Sequence, residues 1–250
     1  MGSKHLKKLN KKILLIVVWV ILLGLILYIT IRPNNTKTED YDKVLENIEV
    51  IPTEIETERM LQVKELQKEN PDIIGWLEIE NTEINYPVLQ YDDNEYYMTH
   101  DYKKEYTRDG SLFLDKDYNW ELPSTNLLIY GHNNQNDTMF HNLLDYQEET
   151  FYKEHPTIKF TTEKEDAEYE IIAVFFSRVY YKSETDVFRY YYFINAENEQ
   201  EFNDYINNSK EASIYDTGKT AEYGDQLITL STCSYHTEDG RFAVVARKII

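Results

Sequence analysis

Nineteen consecutive residues, Ile13 to Ile31 (ILLIVVWVILLGLILYITI), carry no charge, and they divide the chain into two parts of different character. At helical rise such a run extends roughly 28 Å, enough to cross the hydrocarbon core of a bilayer. Lys4, Lys7, Lys8, Lys11 and Lys12 precede it. A cleaved leader has a shorter apolar region closing on a small-x-small site, whereas this run closes on Tyr28-Ile-Thr-Ile-Arg32. The pattern predicts an uncleaved transmembrane anchor over residues 13–31. The basic segment 1–12 is then cytoplasmic, and everything after the span lies outside the cell membrane.

The outer part is acidic. Five of the 26 Lys and Arg precede the span, which leaves 45 Asp and Glu against 21 basic residues, a net charge of −24. Nucleic acid demands clustered positive charge and is excluded as a partner; an anionic membrane surface is disfavoured for the same reason. The charge reads as a solvating surface. No spaced Asp/Asn/Gly loop for calcium occurs, so neither a metal nor another cofactor is expected. Cys233 is the one cysteine, which forbids an internal disulfide and makes a poor metal site. The core must hold by packing alone, for which roughly 180 residues are enough.

Residues 32–52 are polar and acidic, with Pro33 and Pro52, and read as a stalk. From Thr53 to Asn70 the pattern is helical, with Thr53 as cap, Glu56 closing a capping box, and Met60, Val63 and Leu66 on one face until Asn70-Pro71. The stalk and this helical segment together make up residues 32–70. Thereafter short apolar runs follow one another: Ile73–Ile79, Ile84–Leu89, Ser111–Asp115, Asn126–Tyr130, Tyr169–Val179, Gln226–Thr232 and Phe242–Ile250. Such a series predicts a mostly β domain over residues 71–250, as a barrel or a sandwich. Helical period interrupts it at Met139–Tyr146 and at Glu199–Asn207, where Phe202, Tyr205 and Ile206 share a face.

A lone cysteine is an inert core residue, an intermolecular crosslink or a nucleophile. Cys233 ends an apolar strand and opens a loop, and Arg241 begins the next strand. A hairpin between those strands would return Arg241 to the cysteine, where a cationic fork suits an oxygen gathering negative charge. Four histidines have bland settings: His100 and His155 in charged turns, His141 within a surface helix, and His236 at the start of a polar loop. His132 differs, because it follows the strand Asn126–Tyr130 and Gly131 and runs into a polar loop. Catalytic residues favour such strand ends.

These residues carry a resemblance. Thr229-Leu-Ser-Thr-Cys233-Ser-Tyr235 with Arg241 downstream and Tyr130-Gly-His132-Asn133 upstream resemble the sortases, cysteine transpeptidases of the Gram-positive cell surface. The likeness extends through Gly75-Trp-Leu-Glu-Ile79, Ile84-Asn-Tyr-Pro-Val-Leu-Gln90, Gly110-Ser-Leu-Phe-Leu-Asp115 and Thr138-Met-Phe140, about residues 70–250. Class B is the most similar branch. The resemblance implies a closed sortase-type β-barrel with an N-terminal helix and short helices between strands. It implies Cys233 as nucleophile, His132 as general acid/base and Arg241 as the orienting or oxyanion-stabilising cation. It further implies a sorting signal of Asn-Pro-x-Thr or Ser-Pro-x-Thr type on a surface protein, cut after Thr through a thioester, and a peptidoglycan-linked or lipid-linked amine as acceptor. Ser231, Thr232, Asn133, Tyr181 and Tyr191 are the expected substrate contacts, although the tyrosines of Ser177–Phe193 suit a core equally well. Class B members often carry an acidic residue two positions after the cysteine; Tyr235 stands there instead, so no carboxylate partner for His132 is evident. Two rival readings stay open: a pilin-polymerising sortase with a lysine acceptor, and a tethered binding or adhesion module with a silent cysteine.

Overall fold

The computed structural model describes residues 56–250. The anchor at 13–31, the stalk and the proposed cap Thr53 lie outside the described residues. Among those described, no helix is long and apolar enough to cross a membrane.

Helix α1 spans Glu58–Glu69 and is capped by Thr57, whose side chain accepts from the Met60 amide; the cap lies four residues beyond the expected Thr53. Only Met60 and Val63 of this helix are buried, so it lies on the domain as a flank. Eight strands follow. They are β1 (Ile73–Glu78), β2 (Asn85–Leu89), β3 (Leu112–Leu114), β4 (Asn126–Tyr130), β5 (Thr157–Thr161), β6 (Asp166–Arg178), β7 (Leu227–Cys233) and β8 (Gly240–Lys248). They close into a barrel in the order β1-β2-β3-β4-β7-β8-β6-β5, as the resemblance implied. Helix α2 (Glu149–Glu154) precedes β5, and α3 (Glu199–Ala212) lies in the long connection from β6 to β7. The expected helix at Met139–Tyr146 is instead a 3-10 turn over Asn142–Gln147.

Two strand pairs are parallel, β2 with β3 and β4 with β7. Parallel neighbours cannot be joined by a tight turn, so each pair needs a crossover. The β2–β3 crossover holds a 3-10 turn at Tyr96–Met98, and the β4–β7 crossover contains β5, β6 and α3.

Side-chain alternation splits the β4–β7 face in two. Leu127, Ile129, Ile228 and Leu230 point into the barrel with Phe242 and Val244. Leu128 points outward with Ala243, Val245 and Phe175, and there Phe202, Tyr205 and Ile206 of α3 cover them together with Tyr190. A bulge between Ile171 and Ala173 of β6 shifts its register against β8. One extra residue reverses the alternation, so Ile171 and Val174 both face inward. The α3 cover leaves the C-terminal ends of β4 and β7 bare, and that opening is the site.

Candidate active site

Cys233 is the last residue of β7 and is partly exposed. Arg241, the second residue of β8, is its direct cross-strand partner. The expected hairpin therefore forms, with its turn over residues 234–239. Gly240 closes the turn: a Cβ there would lie 2.2 Å from the Ser234 carbonyl, which no side chain tolerates. The Ser234 amide donates to the Gly240 carbonyl at 2.9 Å instead.

His132 arrives from the parallel neighbour. Tyr130 pairs with Ser231, so two residues further along each strand His132 stands level with Cys233. Gly131 between them is squeezed: a Cβ there would meet Leu112 Cδ2 at 2.4 Å and Phe140 Cδ2 at 2.7 Å. Its amide extends the ladder by donating to the Ser231 carbonyl at 3.2 Å, and Thr232 Oγ1 donates to the Gly131 carbonyl at 2.7 Å. The histidine is thus fixed at its backbone by the strand that carries the cysteine.

His132 Nε2 lies 2.7 Å from the Met98 carbonyl. A carbonyl only accepts, so Nε2 carries a proton in either charge state of the ring. The neutral ring then has its lone pair on Nδ1, and Nδ1 is the nitrogen available to exchange a proton. The partner that sets the tautomer is a backbone carbonyl on the β2–β3 crossover rather than a carboxylate. Tyr235 is 79% exposed, and neither it nor Glu238 or Asp239 bonds His132.

Cys233, His132 and Arg241 line one cavity of about 230 Å³, together with Asn94, Met98, Phe113, Tyr130, Gly131, Ser231 and Thr232. Its polar floor is tightly built. Tyr130 Oη donates to Asp115 Oδ2 at 3.0 Å, and Asn94 Nδ2 donates to the same oxygen at 2.9 Å. Burial first, then the Asp115 charge, raises the pKa of Tyr130 far above the ordinary phenol range, so it serves as a neutral donor. Beneath Ser231 the buried Tyr190 hydroxyl sits 2.6 Å from Ser231 Oγ, and burial keeps it protonated as well. Arg241 Nη1 donates to the Asp239 and Gly240 carbonyls at 3.3 and 2.9 Å. No carboxylate pairs with it among the described residues, which leaves the remaining guanidinium donors and the full charge to a ligand.

Of the expected substrate contacts, Ser231 and Thr232 line the cavity. Asn133 lies beside it and donates through Nδ2 to the Cys233 carbonyl at 3.1 Å. Tyr191 and Tyr181 do not border it. The Tyr191 hydroxyl accepts from the Tyr180 amide at 3.0 Å, and Tyr181 is 62% exposed on a segment tied by Arg189. Asn94, Met98, Phe113 and Tyr130 were not anticipated. Tyr130 was within reach of sequence reasoning, since it shares a strand face with His132 two residues on. Met98 was not, because its contribution is a carbonyl that any residue would supply. Among the described residues no group of His, Cys, Asp and Glu is arranged to hold a metal.

Comparison with known proteins agrees with this geometry. Residues 77–249 match the family model described as the sortase domain. Sortase B of Listeria monocytogenes is 34% identical over 250 residues, covering 96% of this chain and 97% of the relative. Sortase B of Staphylococcus aureus is 29% identical, covering 95% and 94%. A solved S. aureus sortase B–substrate complex superposes with a TM-score of 0.67 at 27% identity, covering 84% of this chain and 95% of that one. Sortase B of Clostridium perfringens gives 0.67 at 29%, covering 75% and 99%. With its barrel closed as theirs is and its single cysteine at the strand end, the chain belongs to the sortase family, on the class B branch of these cysteine transpeptidases.

Proposed function

We propose that the chain cleaves a C-terminal sorting signal of Asn-Pro-x-Thr or Ser-Pro-x-Thr type after the threonine and transfers the surface protein to a peptidoglycan-linked or lipid-linked amine. The observation that carries this reading is the union of Cys233, His132 and Arg241 around one cavity, with Cys233 and Arg241 as cross-strand partners. Cys233 gives its proton to His132 Nδ1 as Sγ attacks the threonine carbonyl, and Arg241 stabilises the oxyanion that forms. As the tetrahedral species collapses the C–N bond breaks, and His132 Nδ1 delivers a proton to the departing amine. The acceptor amine then adds to the thioester, His132 takes up its proton, and the thiolate leaves. The S. aureus neighbour has been solved as a sortase B–substrate complex, which supports a substrate-binding role for this chain as well.

Residues 13–31 would tether the domain to the outer face of the cell membrane with residues 1–12 inside, next to wall precursors. The uncharged run and the five lysines before it support this topology.

Intact-mass analysis of the full chain in detergent with Pro-x-Thr peptides tests the proposal. A thioester adduct is expected, absent in Cys233→Ala, and a released product appears on adding an amine. Presenting a wall-peptide amine beside a pilin lysine separates wall anchoring from pilin polymerisation. No adduct and no cleavage with any such peptide would leave a tethered binding module as the better account.

A further inference from the structure

The loop after His132 returns to the cysteine strand through side chains that the reaction above does not use. Asn133 Nδ2 donates to the Cys233 carbonyl at 3.1 Å, which fixes the amide with its nitrogen toward Cys233 and its Oδ1 away. That oxygen lies 2.8 Å from His141 Nδ1, and His141 Nε2 lies 3.1 Å from Asp137 Oδ1. Both ring nitrogens of His141 therefore face atoms that accept and do not donate. Only the doubly protonated ring fills both positions; the neutral ring must leave one acceptor facing a lone pair.

The loop is shaped to bring this ring back. Asp137 and Met139 hold left-handed backbone at φ 60° and 57°, the Phe140 amide donates to the His132 carbonyl at 2.9 Å, and Asn134 Nδ2 donates to Thr138 Oγ1 at 3.1 Å. Across the strand, the Ser234 amide donates to the Gly240 carbonyl. The Cys233–Ser234 peptide is consequently held from both edges, by β8 on one side and by Asn133 on the other.

We propose that His141 is a positioning residue for Cys233, acting through Asn133: by donating from Nδ1 to Asn133 Oδ1, its ring holds the amide that fixes the peptide bearing the nucleophile. The proposal rests on Cys233 being the nucleophile. Asp137 is the charged group bonded to the ring, and Asp145 on the following turn accepts from Asn142. Asp109 accepts from Asn134 and Asn136, and the Tyr86 hydroxyl meets the Met139 amide.

The test uses the full chain in detergent with a Pro-x-Thr peptide and an amine acceptor. His141→Ala is expected to lower kcat roughly three- to tenfold with KM unchanged, the scale of one hydrogen bond. His141→Gln keeps a donor for Asn133 Oδ1, so it should recover most of the rate. A substrate-free readout accompanies these: the Asn133 side-chain amide resonance should shift in His141→Ala and return toward its wild-type position in His141→Gln. If the resonance shifts but no acyl-enzyme ever forms in the wild type, the function assigned to Cys233 fails and only a hydrogen-bond relay remains. An unchanged resonance in His141→Ala, or equal losses of rate in His141→Ala and His141→Gln, overturns the positioning role.

Discussion

Single residues in this site act by what they cannot be replaced with. Arg241 has no carboxylate partner among the described residues, and in the proposed mechanism its charge meets the anionic transition state. Arg241→Ala is expected to lower kcat by about 10²–10³. Arg241→Lys should fall between that variant and the wild type, because it keeps charge and loses the planar fork. Single-turnover kinetics would show the loss in the acylation step. Gly131 is a second such position. Gly131→Ala must push Leu112 or Phe140 aside, which costs about 1–3 kcal/mol, read as a lower urea midpoint with an unchanged slope. Because Gly131 also sets the height of His132 beside Cys233, its activity should fall by more than the stability loss alone explains.

At the scale of elements, the site depends on a cover over the outer face of β7. Tyr205 Oη lies 2.7 Å from Thr229 Oγ1, Tyr190 Oη lies 2.6 Å from Ser231 Oγ, and the next outward residue, Cys233, is left free. Tyr190→Phe would strand the buried Ser231 hydroxyl at a cost of about 1–3 kcal/mol, measurable by equilibrium unfolding. Phe202→Ala in α3, which empties a fully buried ring position, should cost about 3–5 kcal/mol by the same measurement. Most strands were legible because runs such as Leu227-Ile-Thr-Leu are short and apolar and are set off by turn residues. Strand β5, Thr157-Ile-Lys-Phe-Thr, was missed because its five residues offer only two large apolar side chains. The cap of α1 was misplaced because Thr53 and Thr57 are equally capable donors of a capping oxygen, and only the fold chooses between them. The strand-end placement of Cys233, His132 and Arg241 was legible. Asn94 and Met98 were not, since they reach the cavity from an irregular crossover that has no period to read.

For the whole molecule, the excess of acid residues makes the few buried carboxylates informative. Glu170 on β6 is almost fully buried, which by itself would raise its pKa; Lys219 at 2.7 Å and Arg247 Nε at 2.6 Å outweigh this and hold it below its ordinary 4.5. Its folded-state pKa is therefore depressed relative to the unfolded chain. The stability it contributes is present above about pH 4.5 and is lost as pH falls through the folded-state value. Glu170→Gln should be less stable than the wild type at neutral pH, and the gap should close in acid; thermal unfolding across pH 3–7 would show it.

The parallel pairing of β4 with β7 has a kinetic consequence. The two strands enclose about 100 residues of intervening chain, and closing a loop of that length costs roughly 4 kcal/mol of chain entropy on simple scaling. Such a contact forms late, after β5, β6 and α3 have found one another, and folding is slow for that reason. The thiol and the imidazole therefore meet only when nearly the whole domain has been built. An immature chain carries a cysteine, and through the local β7–β8 hairpin its arginine, without the imidazole, so on the proposed mechanism maturation of the fold and ignition of the chemistry are one event.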